Sequence, residues 1–246
     1  MKAVVLAAGR GERLRPLTDT CPKPLLPFAG RALLEHVIEL LVRHGFGDIM
    51  INLHHLADRV RAALGDGSRW GIRIGYSHEQ QLLGTAGAVR RVASWLGGEP
   101  FLVYYGDNLT NFDLSDLVRA HREGGAIATV GLLWMDEPTT RGIVHLDAAG
   151  RIDRWLEKPL PEAVFADYLV NSGTYMLEPE IVAHIPANGA SDFARDVFPC
   201  LLARGIALRG HRMRGDLLST DTPERYAHAI RQVETGAFRL PERHPR

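Results

Sequence analysis

The sequence predicts an α/β fold: a three-layer sandwich built on a mixed, mostly parallel central sheet. Three observations predict it. Through the first half of the chain, short apolar runs alternate with amphipathic helical patterns, the arrangement that gives a parallel sheet with helices on both faces. The second half carries strand-like runs joined by turn signals, which adds antiparallel strands. The first strand runs directly into a loop rich in glycine, proline and cations, which suits the carboxyl edge of an open α/β sheet.

The elements follow in order. Residues 3–7 are an unbroken apolar run, the mark of a strand buried on both faces. After a long loop, residues 32–44 place Leu33, Leu34, Val37, Ile38 and Leu41 at helical spacing and stop at Gly45. A strand at 48–53, a helix at 57–64 ending in Gly65-Asp66-Gly67, and a strand at 72–76 come next. Residues 85–95 read as one helix closed by Gly97-Gly98, and 101–105 as a strand followed by Gly106-Asp107. Asp113 is placed to cap a helix running to Glu123. Beyond it, 126–133 is a strand, and 142–146 with 152–156 flank Asp147-Ala148-Ala149-Gly150 as a hairpin. A strand at 169–176, a helix at 192–203, a strand at 207–212 and a helix at 222–234 complete the series, and the tail with Pro241 and Pro245 is expected to fray. The result is a Rossmann-like core over about residues 1–110, a second half over 111–236, together one domain, and a tail at 237–246.

Composition narrows the function classes. Lys+Arg and Asp+Glu number 29 each, so the basic excess of a nucleic-acid footprint is missing. No stretch reaches the ~20 apolar residues of a membrane span, and the N-terminal run is too short for a signal-peptide core. Cys21 and Cys200 lack CxxC spacing and read as free thiols of a reducing compartment, which makes the cytoplasm the expected location. The eleven histidines form no zinc or nucleophile pattern.

The most informative stretch is Leu6-Ala7-Ala8-Gly9-Arg10-Gly11-Glu12-Arg13-Leu14-Arg15-Pro16-Leu17-Thr18, then Pro22-Lys23-Pro24-Leu25. Small residues let backbone N–H groups approach phosphate oxygens, and Arg13, Arg15 and Lys23 add fixed positive charge. No Gly-Lys-Ser/Thr follows, so this is not a P-loop. Leu14 stands at the third glycine position of the dinucleotide fingerprint, so it is not that either. A lone G-x-G is usually only a tight turn, but the cations Arg13, Arg15 and Lys23 together with the X-Pro steps of one loop argue for more.

This stretch resembles the opening signature of the sugar-phosphate nucleotidyltransferase family, L-A-x-G-x-G-x-R-L-x-P-L-T followed by P-K-P-L. The resemblance continues through most of the chain and is nearest to mannose- and heptose-1-phosphate guanylyltransferases in a single-domain form, without the left-handed β-helix domain that many relatives append. It implies the nucleotide-diphospho-sugar transferase fold, with Leu6, Ala7, Ala8, Gly9 and Gly11 facing the nucleotide and Arg13 and Lys23 on its phosphates. Glu12 departs from the family, where Thr is common, and is expected to point away from the phosphates. The block Glu79-Gln80-Gln81-Leu82-Leu83-Gly84-Thr85-Ala86-Gly87 resembles the family's base-reading segment, with Gly84 approaching the ligand and Thr85 capping the next helix. An ionised carboxylate only accepts hydrogen bonds. Guanine offers two adjacent donors and uracil one, so Glu79 favours GTP, with a uridylyl alternative kept open because some uridylyl relatives share this residue.

Arg141-Gly142-Ile143, Trp155-Leu156-Glu157-Lys158-Pro159 and Val170-Asn171-Ser172-Gly173 resemble the family's sugar side. By that resemblance Lys158 holds the phosphate of the sugar 1-phosphate, Glu157 and Asn171 bind sugar hydroxyls, and Gly142 contacts the sugar through its backbone. A Lys and a carboxylate before Pro are more often a solvated turn; their company decides otherwise. Arg141 stands where the family often has Tyr. Asp107 ends a buried strand beside the phosphate loop, a natural Mg²⁺ ligand, since Mg²⁺ takes one or two carboxylates and substrate phosphates. The usual second Asp is replaced by Ser219; Asp221, two residues on, can serve or can cap the last helix, and Asp216 is a third candidate.

The expected activity is the joining of a nucleoside triphosphate to a sugar 1-phosphate by Mg²⁺-assisted in-line attack, releasing pyrophosphate. The alternatives are a uridylyltransferase and a catalytically silent sugar-nucleotide sensor. A related glycosyltransferase is disfavoured, because Gly106-Asp107-Asn108-Leu109 lacks a D-x-D pair. The expected partners are these two substrates, with no nucleic acid and no membrane; a homo-oligomer is compatible with the sequence.

Overall fold

The computed structural model describes residues 1–241. In chain order the elements are β1 (Lys2–Leu6), α1 (Leu17–Thr20), β2 (Pro27–Phe28), β3 (Arg31–Ala32), α2 (Leu33–Arg43), β4 (Asp48–Leu53), α3 (Ala57–Leu64), β5 (Arg73–His78), α4 (Gly84–Arg91), α5 (Ala93–Leu96), β6 (Phe101–Tyr105) and β7 (Asn108–Thr110). They continue with α6 (Leu114–Gly124), β8 (Ala128–Leu133), β9 (Gly142–Leu146), β10 (Ile152–Glu157), β11 (Leu169–Leu177), α7 (Phe198–Ala203), β12 (Leu208–Arg212), β13 (Leu217–Ser219) and α8 (Pro223–Glu234). The sheet is mixed and covered by helices, as the sequence predicts. Residues 242–246 of the tail expected to fray lie outside the described residues. Among the described residues no helix is long and apolar enough to cross a membrane.

The chain forms two compact units. The first comprises Met1–Leu82, Tyr104–Leu114 and Arg214–Arg246. Here β4 is the middle strand of a parallel set, paired with β1 on one side and β5 on the other. The apolar run of β1 explains its place: Ala3, Val4 and Val5 are fully buried, as are Ile49 and Ile51 of β4. The helical spacing of α2 buries Leu33, Leu34, Ile38 and Leu41 completely. A three-residue ladder of β7 with β13 pairs Leu217 with Thr110 and Ser219 with Asn108. The terminal helix α8 packs through Tyr226, Ala229, Ile230 and Val233 on Phe28, Leu33 and Leu109.

The second unit comprises Leu83–Val103 and Ser115–Met213. Its organiser is β11, whose nine residues are all buried and which pairs antiparallel with both β8 and β9. The predicted hairpin is present as β9 and β10, in a register that sets Glu157 opposite Gly142. Trp155, Tyr175, Phe193 and Phe198 stack into one aromatic cluster, with ring centroids 5.0–5.8 Å apart.

Two predicted helices are interrupted. The one expected over 85–95 breaks at Val92, whose φ of −103° lies outside the helical well, and its N–H bonds back only three residues to Val89. The one expected over 192–203 begins as a π-turn, Phe193–Val197, before α7. Pro199 has no N–H to give Arg195 and its ring would meet that carbonyl, so the turn ahead of it widens.

Candidate functional site

In the first unit the loop after β1 is held by its own motif residues. Gly11 has φ +66°, and a Cβ there would lie 2.8 Å from Cγ2 of Thr18, so only glycine fits. Thr18 in turn donates its hydroxyl to the Gly11 carbonyl at 2.8 Å. The Gly and Thr of the signature therefore shape the loop. Ala8 is buried while Gly9 and Arg13 are exposed. Glu12 is exposed and lies 3.8 Å from Arg10.

Lys23 and Asp107, 84 residues apart in sequence, meet at 2.8 Å. Lys23 is nearly buried, with its side chain 9% exposed, whereas that of Asp107 is 43% exposed and open to a ligand. Thr220 donates to the Asp107 carbonyl at 2.9 Å, and the β7–β13 ladder ends one residue earlier at Ser219 and Asn108. The segment carrying Ser219 and Asp221 is thereby fastened alongside Asp107. Asp221 makes ion pairs with Arg13 at 3.0 Å and Arg225 at 3.3 Å. The capping reading of Asp221 is corrected: the N-cap of α8 is Thr222, whose side chain accepts from Arg225 N–H, as expected of a hydroxyl residue directly before Pro at the first helical position. Asp216 sits elsewhere in this segment, its N–H bonded to Asn111 Oδ1 at 2.6 Å.

Glu79 is almost fully buried. Asn52, which the sequence reading did not single out, bonds to it: Asn52 Nδ2 donates to Glu79 Oε1 at 2.8 Å, and Ala7 N–H donates to Asn52 Oδ1 at 2.6 Å. His54, also not singled out, bonds to the Glu79 carbonyl at 2.8 Å and receives Arg10 Nε at 3.3 Å. Asn52 follows the apolar run Ile49-Met50-Ile51 of β4, and its role shows only once its neighbours on β1 and after β5 are known.

In the second unit, Gly84 has φ +73°, and a Cβ there would lie 2.3 Å from the Ser191 carbonyl oxygen. Thr85 does not cap its own helix: the N-cap of α4 is Leu83, with no side-chain bond. Its hydroxyl instead donates to Asp192 Oδ2 at 2.8 Å and accepts from Phe193 N–H at 2.9 Å. Asp192 holds the other end of this clasp, accepting from Ala194 and Arg195 N–H groups.

On the same unit, Glu157 closes β10 with its Oε2 2.5 Å from where a Gly142 Cβ would stand. Trp155 Nε1 lies 3.5 Å from the same point. Among the described residues, both Trp155 Nε1 and Glu157 Oε2 are buried without a hydrogen-bond partner, a donor and an acceptor two residues apart on one strand face. Burial pushes the Glu157 carboxyl above its usual range, with Lys158 pulling down and Asp192 adding to the rise. Lys158 is exposed and sits at φ +45°, held by its N–H to the Arg141 carbonyl at 3.2 Å. Asn171 uses Oδ1 for Gly173 N–H and Nδ2 for the Tyr175 hydroxyl, both at 2.9 Å, which leaves one amide hydrogen for any ligand.

Residues 2–217 match the nucleotidyl transferase family. The chain belongs to that family. Among curated nucleotidyl transferases it is 35% identical over 95% of its length to a UTP–glucose-1-phosphate uridylyltransferase of Synechocystis sp., of which it covers 63%. It is 36% identical over 83% of its length to mannose-1-phosphate guanyltransferase beta-B of Xenopus laevis, of which it covers 57%. The chain thus spans about three fifths of the length of these curated relatives. Among solved structures, that of a proposed glucose-1-phosphate thymidylyltransferase from Bacillus anthracis, in complex with sucrose, superposes with a TM-score of 0.85 at 26% identity, covering 98% of each chain. HddC from Yersinia pseudotuberculosis, complexed with GMP-PN, shares the fold with a TM-score of 0.78 at 21% identity, covering 94% of this chain and 99% of its own.

Proposed function

We propose that this chain transfers a nucleotidyl group from a nucleoside triphosphate, with GTP favoured, to a sugar 1-phosphate, giving a sugar nucleotide and pyrophosphate. The observation that carries the proposal is the ion pair of Lys23 with Asp107 at 2.8 Å. It brings the cation of the phosphate loop to the carboxylate at the end of β6, an arrangement that suits triphosphate and metal together.

An oxygen of the sugar 1-phosphate attacks the α-phosphorus, and the bond from that phosphorus to the bridging oxygen breaks, so pyrophosphate leaves with the electron pair. The attacking phosphate is already ionised near neutral pH, so the protein's task is positioning and charge stabilisation. Lys158 binds the sugar phosphate. Arg13 and Lys23 neutralise charge on the α-phosphate and the leaving group. Glu79 accepts from the base, and Glu157, Asn171 and the Gly142 backbone hold the sugar. The buried, unpartnered Glu157 oxygen supports this, since a sugar hydroxyl would satisfy it.

The donor chemistry fits Mg²⁺: Asp107 offers a hard carboxylate that is 43% exposed and pairs with Lys23, and it would hold the ion with Asp221 as the second carboxylate. When bound, the ion neutralises nucleotide oxygens. A second reading, transfer from UTP, is favoured by the Synechocystis relative's name.

The test is pyrophosphate release by the pure chain with Mg²⁺, each common nucleoside triphosphate and a panel of sugar 1-phosphates. Release that needs both substrates, greatest with GTP, is the expected result. Release with UTP alone replaces the base assignment. Silence across the panel with nucleotide still bound favours the sensor.

A further inference from the structure

Asn52 occupies the one strand that touches both halves of the nucleotide-binding apparatus. In the parallel register it is level with Leu6 of β1 and Ser77 of β5. The phosphate loop leaves β1 at the next residue, Ala7, and Glu79 follows β5 directly, its N–H bonded to the Leu53 carbonyl at 2.8 Å. Parallel strands end side by side at one edge, so a polar side chain near the end of the middle strand reaches both.

The chemistry of the two bonds fixes which way Asn52 points. Ala7 N–H only donates, so it requires the amide oxygen. An ionised Glu79 only accepts, so it requires the amide nitrogen. Aspartate in its place would set a second carboxylate against Glu79, and an aliphatic residue would strand both partners. His54, two residues on and just past the end of β4, repeats the pattern. A carbonyl only accepts, so His54 Nδ1 carries the proton toward Glu79, and the bare Nε2 receives Arg10 of the loop. Ala7–Asn52–Glu79 and Arg10–His54–Glu79 are two parallel links from loop to base reader.

We propose that Asn52 and His54 are positioning residues that lock the phosphate loop to Glu79, and that Asn52 sets the base preference by fixing the orientation of the Glu79 carboxylate. This rests on the reading of Glu79 as the group that contacts the base. Neither residue touches substrate in this account.

The experiment measures KM for each substrate and the ratio of kcat/KM for GTP over UTP in the full chain and in Glu79→Gln, Asn52→Asp and the double variant Asn52→Asp with Glu79→Gln. The loss of one charge-assisted buried bond predicts that Asn52→Asp raises the KM for the triphosphate about tenfold and changes the base ratio by about tenfold, with the KM for sugar 1-phosphate unmoved. The double variant restores the link with donor and acceptor exchanged, because the carboxylate it places on β4 accepts both from Ala7 N–H and from the amide it places after β5. Its triphosphate KM returns toward the starting value while the base ratio stays altered.

Equal losses for both substrates with the base ratio unchanged and no rescue would mean a merely structural Asn52, and would overturn the proposal. If Asn52→Asp does not fold, the half-buried His54→Leu decides: it should raise the triphosphate KM several-fold and leave the sugar KM alone, and an unchanged triphosphate KM overturns the proposal. A base ratio unmoved by Glu79→Gln overturns the reading of Glu79, and the proposal falls with it. A wild-type chain silent with every substrate pair overturns the parent function.

Discussion

The acid and base chemistry of single residues is where the site can be tested most directly. If Glu157 binds the sugar as proposed, its carboxylate form accepts a hydroxyl more strongly than its neutral form, and burial raises its pKa. The KM for sugar 1-phosphate should therefore begin to climb, as pH falls, at a higher pH than an ordinary carboxylate would impose. The sugar phosphate also titrates in this region, so the comparison is with Glu157→Gln: the variant should bind more weakly at pH 8 and lose the steeper acid limb. An identical pH profile in the two proteins would remove Glu157 from the sugar. Lys158 offers a second test, because it sits at φ +45°, a conformation that is strained for a residue with a Cβ by about 1–2 kcal/mol. Such strain is kept where a side chain is needed. Lys158→Gly should leave stability unchanged or raise it by about 0.5 kcal/mol, after the entropic cost of glycine, while turnover falls at least about a hundredfold from the lost phosphate contact. A large drop in thermal midpoint would show that the lysine is held for structure. Both residues stand in the E-K-P triplet that the sequence singles out. Asn52 was not legible there, because an asparagine in a strand carries no signal until its neighbours on both sides are known.

At the scale of elements, periodicity read well because it is local: the bounds of β4, α3, β6 and β9 agree with the sequence pattern to the residue. What failed depends on contacts distant in sequence. The ladder of β7 with β13 is three residues long and joins segments about a hundred positions apart, too short for any periodicity to announce. The sequence predicts Thr85 as a helix cap, yet the structure uses its hydroxyl to clasp Asp192 and Phe193. That clasp makes a prediction of its own. Thr85→Val keeps the shape of the side chain but leaves the Phe193 N–H and one Asp192 oxygen unpaired, which should destabilise by about 2 kcal/mol. For a chain of this size that is a fall of roughly 4–8 °C in thermal midpoint. Thr85→Ser retains the hydroxyl and should recover most of it. Equal losses in the two variants would assign the effect to the methyl group and sink the clasp.

Across the whole molecule, stability should fall on the acid side of neutrality. His36 shows why. Arg31 donates to its Nδ1, so Nε2 carries the proton to the Phe28 carbonyl, and the ring is held neutral. Burial depresses its pKa, with Arg31 adding to the effect. His44 is depressed by burial against the pull of Asp113. His121 is depressed by burial and then Arg122, even with Glu178 3.3 Å from its Nε2. In each case the unfolded chain takes up a proton near pH 6.5 while the folded chain resists, so stability rises with pH across that window and is lost as pH falls through it. Because His36 and His44 lie in the first compact unit and His121 in the second, both units weaken together. The urea midpoint should be lower at pH 5.5 than at pH 7.5 by about 0.5 M or more. Glu157 acts with the opposite sign: its raised carboxyl regains a proton in the folded chain first, which relieves the penalty of burial as pH falls. Replacing it with Gln removes that compensation and should make the acid loss steeper. A midpoint that is flat or higher at pH 5.5 would show that the three histidines are protonated without cost in the folded chain, and a Glu157→Gln protein that loses less than the parent would remove the compensation assigned to Glu157.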